Sequence, residues 1–271
     1  MSVRCRAKVN LTLHVGAPLQ TGRWANYHPI ESLVVFADVG DLMTFLPASE
    51  TTLTIDGPTG TGLSAGPDNL ILRAFRLCDA PPQAVHLSKH LPVSSGLGGG
   101  SANAAAVLRN FDPHGEVDDA SLGADIPICR LSQTAMMTGI GEQVEPIPGL
   151  GTVAAVLVNP GVPVSTAAIF QSYDSRRPAL APKQTERQGS LLDRARSGTN
   201  DLEDDAKNVA LEIATVLAAL RAQPGCDLAR MSGSGATCFG LFADQAAAAR
   251  AAAGVSRPDW WVVVCQLGDS V

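Results

Sequence analysis

Apolar and polar residues alternate along the first fifteen positions of the chain, which is the spacing of a β-strand with two different faces. Val9, Leu11 and Leu13 lie on one face, whereas Lys8 and Asn10 lie side by side on the other. The pattern therefore predicts an N-terminal strand with one buried face and one polar face.

Similar patterns predict the elements of the first half. Strands are expected from the apolar or alternating runs at 33–46, 51–57, 84–93 and 152–161, with further short strands within 134–147. Helices are expected at 66–79, with Asp68 as the N-cap, at 101–111, and as a short segment within 120–131. The helices are inserted among strands without a repeating βαβ order, so the predicted fold class is α+β.

A change of composition at 146–151, which is rich in proline and glycine, predicts a boundary between domains 1–148 and 149–271. The second domain is expected to be a small sandwich of helices on a sheet. Its predicted elements are one long helix at 200–222, a glycine-rich turn entering a strand at 231–242, an alanine-rich helix at 244–254 and a last strand at 260–267.

Composition narrows the class of protein. The chain has 271 residues, of which 45% are hydrophobic, so it can bury a core without needing disulfide bonds or a bound metal ion for stability. Its net charge of −6 argues against general binding to nucleic acids or to anionic membranes. No C-x-x-C pair occurs among the six cysteines, which predicts buried thiols in a reducing compartment. With neither a signal segment nor a membrane span in the pattern, we expect a cytoplasmic protein.

Segment 175–199 differs from the rest because it carries six basic and two acidic residues in an acidic chain. A solvated loop is the favoured interpretation. The alternative is a mobile basic lid near a phosphate ligand.

The strongest local signal is a glycine-rich loop between a predicted strand and a predicted helix. Four glycines occupy five positions, and three serines add hydroxyl groups; the residues are Pro92, Val93, Ser94, Ser95, Gly96, Leu97, Gly98, Gly99, Gly100, Ser101 and Ala102. Glycines let a backbone approach a ligand closely, and the N-terminus of the following helix offers free N–H groups. The loop is therefore predicted to bind an anion such as a phosphate.

Well-known phosphate loops fit this segment poorly. A Walker A loop needs a lysine before the last serine, and the dinucleotide fingerprint would need a glycine where Ser101 stands. Protein-kinase motifs are absent downstream. A metal site at the predicted strand 84–93 also fails, because His86 and His90 are about 13 Å apart on a strand, too far to share a metal ion.

The loop instead resembles the ATP loop of the GHMP kinases, a superfamily that includes galactokinase, homoserine kinase and mevalonate kinase. Further matching blocks follow in the family order: A-K-V-N-L at 7–11, Y-H at 27–28, D-N-L at 68–70, G-A-D-I-P at 123–127, G-I-G-E at 139–142, P-G at 160–161 and S-G-S-G-A at 232–236. Within the superfamily, the set is most similar to the branch that phosphorylates the 2-hydroxyl of a cytidine diphosphate-linked methylerythritol, in the non-mevalonate route to isoprenoid precursors.

The resemblance implies a two-domain GHMP kinase fold, with an N-terminal domain like ribosomal protein S5 domain 2 and a C-terminal ferredoxin-like sandwich. It implies ATP and Mg²⁺ as cofactors, with ATP held by the loop together with Asn69 and Lys89. Asp125 would orient or deprotonate the alcohol, with Lys8 as its partner. Ser101 would contact phosphate or Mg²⁺. From the residues alone, a strand lysine and a turn carboxylate are more often structural than catalytic.

The resemblance also implies a site for the cytidine-linked small-molecule substrate. Tyr27 and His28 would hold the cytosine, Phe170 would stack on it, and Asn10 would hold the substrate beside the catalytic lysine. An aromatic ring stacked on a base contributes about 1–3 kcal/mol. We further expect a monomer or weak homodimer, with no nucleic-acid or membrane partner. A core position remained the alternative for Phe170.

Three departures from the family pattern affect the nucleotide and substrate sites, not the charged groups. Asn26 replaces a glycine before the Y-H pair, Ala102 replaces a second serine at the helix start, and the link at 111–122 is short. Two other functions stay open at this point: a GHMP kinase for another small alcohol, such as homoserine or mevalonate, and a nucleotide-binding regulator without catalysis.

Overall fold

The computed structural model describes residues 1–176 and 181–269, and its main element is a mixed β-sheet. The strands of the described residues are β1 (Ser2–Asn10), β2 (His14–Val15), β3 (Ile30–Pro47), β4 (Thr52–Asp56), β5 (Gln83–Ser88), β6 (Ala135–Thr138), β7 (Gln143–Pro146), β8 (Thr152–Asn159), β9 (Cys226–Met231), β10 (Cys238–Phe242) and β11 (Trp261–Gly268). The helices there are α1 (Leu70–Leu77), α2 (Gly99–Phe111), α3 (Ile126–Leu131), α4 (Thr166–Ser175), α5 (Leu191–Ser197), α6 (Glu203–Val209), α7 (Leu211–Arg221) and α8 (Gln245–Val255).

Strand β3 connects the two halves of the sheet. Its eighteen residues pair with β1, β2, β5 and β6, and a single register pair, Ala37 with Leu267, joins it to β11. From there the sheet continues through β8, β10 and β9, all antiparallel. The apolar run at 33–46 is long enough to form most of this strand. Consecutive residues in the first half of the strand are buried, so both of its faces are covered there.

Three hydrophobic clusters form the core. One packs α1, α2 and α3 on the N-terminal strands, and another packs α4, α6, α7 and α8 on the C-terminal strands. The third combines apolar residues of β1 and β3 with residues of β8, β10 and β11, so it lies between the halves. The predicted domain boundary at 148/149 falls in the turn between β7 and β8 and stays a prediction.

Most predicted elements are confirmed, and the errors have identifiable causes. The N-cap of α1 is Asn69 rather than Asp68, because the Asn69 side chain accepts the N–H of Ile71 at 3.0 Å. The predicted single helix at 200–222 is wrong, since Ala210 is extended and divides it into α6 and α7. Neither glycine nor proline marks that break, so the sequence carries no local signal for it.

The predicted polar face of the first strand is wrong in its burial. Lys8 and Asn10 are both less than 5% exposed, as are Thr12 and His14 beyond the strand end. Periodicity distinguishes two faces but does not reveal that other polar groups cover the second face. Here the covering groups come from the glycine-rich loops and from residues 181–200.

Segment 175–199 is only partly the solvated loop that was predicted. Residues 177–180 lie outside the described residues. Beyond them, helix α5 begins at a capping box formed by Ser190 and Asp193. Thr185 is 2% exposed and hydrogen-bonds Glu31 and Thr12, so part of this segment packs into the protein. The predicted lid stays a prediction.

Candidate active site

The N-terminus of α2 forms one end of a large cavity. Its N-cap, Gly98, is left-handed with φ +63°, and no side chain of the described residues caps it. The backbone N–H groups of Gly99, Gly100 and Ser101 have no helical acceptor because they lie in the first turn, and these three residues line the cavity. Free N–H groups at the positive end of a helix dipole are suited to bind phosphate oxygens.

Glycine is required where the loop meets the third glycine-rich motif. Gly96 has φ +76°, and a Cβ atom there would overlap the carbonyl oxygen of Ser232. A Cβ atom at Gly98 would lie 3.3 Å from the Cβ of Lys8. These close approaches bring the loop backbone against both the first and the third motif.

Ser232 joins the three motifs through its hydroxyl group. Its Oγ accepts the N–H of Asn10 at 3.1 Å and donates to the carbonyl of Gly96 at 3.0 Å. The N–H of Lys8 donates to the carbonyl of Leu97 at 2.9 Å. These hydrogen bonds join motifs that lie up to 222 residues apart in the sequence. Ser232 belongs to a motif that the sequence analysis recognised, but it was not among the predicted site residues.

The predicted catalytic residues Lys8 and Asp125 form an ion pair. The Nζ of Lys8 lies 2.8 Å from Oδ2 of Asp125, which stands at the N-cap position of α3. The lysine side chain is 5% exposed, whereas the carboxylate is 36% exposed and lines the cavity. A carboxylate open to a cavity and held by a buried ammonium group can accept a hydrogen bond from an alcohol. Beneath the pair, burial raises the pKa of the Cys129 thiol to about 12, so that group stays neutral.

Lys89 lies at the same end of the cavity, but its ammonium group is held by a buried carboxylate. The Nζ is 2.7 Å from Oδ2 of Asp41 and 3.1 Å from the carbonyl of Leu91. The other oxygen of Asp41 accepts the N–H groups of His90 and Leu91. Asp41, which is 0% exposed, thus fixes the strand end that leads into the loop. The sequence analysis missed it, because the run 33–46 contains two aspartates, Asp38 and Asp41, and nothing in the run shows that Asp41 is the buried one.

The opposite end of the cavity is aromatic. Tyr27 is 52% exposed, and its ring packs edge-on against Trp24. The imidazole of His28 stacks on the ring of Phe170 in α4, with centroids 4.6 Å apart and an angle of 34°. The Nδ1 of His28 faces the carbonyl of Gly16 at 2.9 Å, which orients the ring. Phe170 is half-buried and lines the cavity, so it is not a fully buried core residue.

The cavity of about 1400 Å³ connects both ends. Among the predicted site residues, those lining it are Lys8, Asn10, Tyr27, His28, Asn69, Lys89, Pro92, Val93, Ser94, Ser95, Gly96, Gly98, Gly99, Gly100, Ser101, Asp125 and Phe170. Two predicted nucleotide-site residues do not line it, because the side chains of Leu97 and Ala102 pack in the hydrophobic core. Within residues 1–176 and 181–269, no helix has both the length and the apolar character needed to cross a membrane.

Comparisons with known proteins agree with this arrangement. The family model "GHMP kinases N terminal domain" matches residues 69–127, and "GHMP kinases C terminal" matches residues 177–258. The 4-diphosphocytidyl-2-C-methyl-D-erythritol kinase of Dinoroseobacter shibae is 46% identical over 94% of this chain and 91% of its own length. The kinase of the same name from Rhodopseudomonas palustris is 44% identical over 95% of this chain and 94% of its own length.

Comparison with solved structures also finds GHMP kinases. A crystal structure of 4-(cytidine 5'-diphospho)-2C-methyl-D-erythritol kinase has a TM-score of 0.82 and 29% identity, with both chains fully covered. A mevalonate kinase at 11% identity and a TM-score of 0.60, again with full coverage of both chains, shares the fold. The predicted α+β fold of the GHMP kinases is therefore confirmed. At this level of similarity, the chain belongs to the 4-diphosphocytidyl-2-C-methyl-D-erythritol kinase family of the GHMP kinases.

Proposed function

We propose that this chain transfers the γ-phosphoryl group of ATP to the 2-hydroxyl of 4-diphosphocytidyl-2-C-methyl-D-erythritol, giving the 2-phosphate and ADP. The reaction would supply the methylerythritol phosphate route to isoprenoid precursors. The observation that carries the proposal is the position of the Lys8–Asp125 pair, in a cavity with a phosphate cradle at one end and an aromatic pair at the other.

Phosphoryl transfer depends mainly on positioning and on stabilisation of charge. The first turn of α2 and the serines of the loop would hold the ATP phosphates, with Lys89 and Asn69 nearby. Asp125 would accept a hydrogen bond from the acceptor hydroxyl and take its proton as the bond to phosphorus forms. Lys8 would keep that carboxylate oriented, and its positive charge would stabilise the developing negative charge.

Mg²⁺ is proposed as the ion that accompanies ATP. No group of three or more His, Cys, Asp or Glu side chains able to hold a metal occurs within the described residues. Oxygen ligands do line the cavity, namely the Ser101 hydroxyl and the Asp125 carboxylate. That sparse set fits Mg²⁺, which keeps several waters and binds through substrate phosphates with one or two carboxylates. When bound, it would neutralise charge on the phosphates.

The cytidine would occupy the aromatic end. Tyr27 presents an exposed ring, and the stacked His28 and Phe170 provide a second apolar surface with a polar edge. Homoserine and mevalonate carry no base, so a kinase for those alcohols has no use for this end. An inactive regulator is disfavoured because both charged groups are present and paired at 2.8 Å. The predicted monomer or weak homodimer and the predicted cytoplasmic location stay predictions.

The proposal is tested by measuring ADP release with Mg·ATP and three acceptors: the cytidylated methylerythritol, homoserine and mevalonate. Turnover with the cytidylated alcohol alone supports it. Turnover with another acceptor would retain the fold and the phosphate cradle but reject the cytidine assignment. Binding of ATP with no turnover on any acceptor would favour the regulator.

A further inference from the structure

One carboxylate at the aromatic end of the cavity has no role in the reaction as proposed. Asp174 lies one helical turn after Phe170 in α4, and Thr166 lies one turn before it. Residues four apart share a helix face, and all three line the cavity. Ile169 and Tyr173 of the same helix are buried in the core. The face of α4 that carries Asp174 is therefore the face open to a ligand.

Asp174 also lies beside the imidazole ring of His28. Its Oδ2 is 3.6 Å from Nε2, on the ring edge opposite the Nδ1 that faces the Gly16 carbonyl. The Gly16 carbonyl orients the imidazole, which stacks on Phe170, and the Asp174 carboxylate lies near the other ring edge without a hydrogen bond to it. A base placed at this aromatic pair would have its polar edge close to the Asp174 carboxylate.

The hydrogen-bonding capacity of this carboxylate is unused by the residues that the structure describes. Oδ1 is buried with no hydrogen-bond partner among them, and Oδ2 has no donor closer than His28. The nearby Arg176 is engaged elsewhere, since its guanidinium pairs with Asp205 and lies over the ring of Tyr173. A carboxylate accepts hydrogen bonds and cannot donate them. The Asp174 side chain is 40% exposed and lines the cavity, so a molecule bound there can reach Oδ2 and donate a hydrogen bond to it.

We infer that Asp174 determines specificity for the cytosine base by accepting a hydrogen bond from its exocyclic amino group. The inference rests on the proposed cytidine-linked substrate. Cytosine carries an N–H donor at this position, whereas uracil carries a carbonyl oxygen there. A uracil oxygen would face a carboxylate oxygen, and two acceptors repel each other. Asp174 thus favours cytidine and also rejects uridine.

The test separates base recognition from phosphoryl transfer. Cytidine 5′-diphosphate (CDP) and uridine 5′-diphosphate (UDP) are titrated calorimetrically into the protein with saturating ADP, so that the phosphate cradle is already filled. Wild type is expected to bind CDP at least about tenfold more tightly than UDP. In Asp174→Asn the amide can donate to the uracil oxygen, so the ratio is expected to fall to about threefold or less. Glu212→Gln, an exposed position on α7, is the control for the same change of charge.

A second variant, Asp174→Ala, removes the acceptor without adding a donor. It is expected to weaken CDP binding and to leave UDP binding unchanged or improved. Asp174→Glu retains a carboxylate and is expected to keep part of the preference. An unchanged ratio in Asp174→Asn, or equal weakening of both nucleotides, would overturn the inference because a structural role predicts those results.

Phosphoryl transfer to the cytidylated alcohol is measured in parallel with wild type. Turnover together with an unchanged CDP to UDP ratio would reject the role of Asp174 and retain the proposed function. A preference that disappears in Asp174→Asn, without turnover in wild type, would support the role of Asp174 and reject the proposed reaction.

Discussion

The two ends of the cavity are built differently. At the phosphate end, backbone groups and the ion pairs of two buried lysines hold the site: Lys8 pairs with Asp125, Lys89 pairs with Asp41, and Ser232 joins the loop to the first strand. At the base end, partly exposed side chains contact one another on a turn and on one helix face. A site fixed by its backbone tolerates few substitutions, whereas one made of side chains can change specificity without altering the chemistry. We therefore expect changes at the phosphate end to lower kcat and changes at the base end to raise the substrate KM.

The largest expected effect is at Asp125. Asp125→Asn removes the proton acceptor and leaves the shape intact, so kcat is expected to fall by about a thousandfold. Substrate KM should change little, because the base and phosphate contacts remain. Steady-state ADP release measures both constants. Asp118→Asn, an exposed carboxylate that pairs with Arg23 outside the cavity, is the matched control and should retain activity. A fully active Asp125→Asn enzyme would show that the Asp125 carboxylate is not the proton acceptor.

Gly96→Ala tests whether the loop backbone must approach the third motif. The new methyl group would overlap the Ser232 carbonyl in a left-handed backbone conformation, which displaces the phosphate cradle. We expect kcat/KM for ATP to fall by about a hundredfold, as for a misplacement of about 1 Å.

Gly115→Ala controls for the backbone conformation alone. Gly115 has a similar φ of +72°, but no atom lies within 4 Å of its added Cβ. This variant should lose some thermal stability and keep its affinity for ATP. Equal losses of ATP affinity in both variants would mean that strain, and not the contact with Ser232, is the cause.

Tyr27→Ala tests whether the base end of the cavity binds the cytidine. Loss of a stacking ring is worth about 1–3 kcal/mol, so KM for the cytidylated substrate should rise by about tenfold or more. Because the ring takes no part in the chemistry at the Lys8–Asp125 pair, kcat and the KM for ATP should stay within about twofold. An unchanged substrate KM would show that the cytidine is not bound at this end.

The smallest effect concerns Glu31, which accepts hydrogen bonds from the backbone and the hydroxyl group of Thr185. Burial in itself raises the pKa of this carboxyl group, but hydrogen bonds from His14 and Thr185 outweigh it, and the net result is a lowered pKa. A lowered folded-state pKa adds stability above about pH 4.5, which is lost as the pH falls through that pKa.

Glu31→Gln does not titrate at this position, so it should be less stable than wild type at neutral pH. The difference should shrink as the pH is lowered below about 4.5, and denaturant unfolding across that range measures it. Glu212→Gln, which is exposed on α7, should follow the wild-type curve. A difference that stays constant with pH would mean that the Glu31 charge does not cause it.

Local signals predicted the parts of the molecule that local geometry controls. The glycines of the loop, the strand carrying Lys8 and the turn at Asp125 each show in a short stretch of sequence, and the family order of the motifs brought them together. Asp41 and Ser232 were missed because each acts on residues distant in sequence. Burial of the polar strand face and the break at Ala210 likewise depend on tertiary packing.

The base end was predicted less completely. Tyr27, His28 and Phe170 came from the family motifs, but α4 itself was not predicted, since its last residues are polar and a proline precedes it at 163. Without the helix, the shared face of Phe170 and Asp174 could not be recognised. Specificity that depends on side chains of one helix face can be recognised only when the helix is known from the structure.

The most direct test of the account is the position of the transferred phosphate. The enzyme is incubated with Mg·ATP and 4-diphosphocytidyl-2-C-methyl-D-erythritol, and the product is followed by proton-coupled ³¹P NMR. The 2-carbon carries a methyl group and no hydrogen, so a phosphate on its hydroxyl should give a new monoester signal without three-bond coupling to protons. A new signal split by neighbouring protons would place the phosphate on another hydroxyl, and no new signal in spite of ATP binding would contradict the proposed reaction.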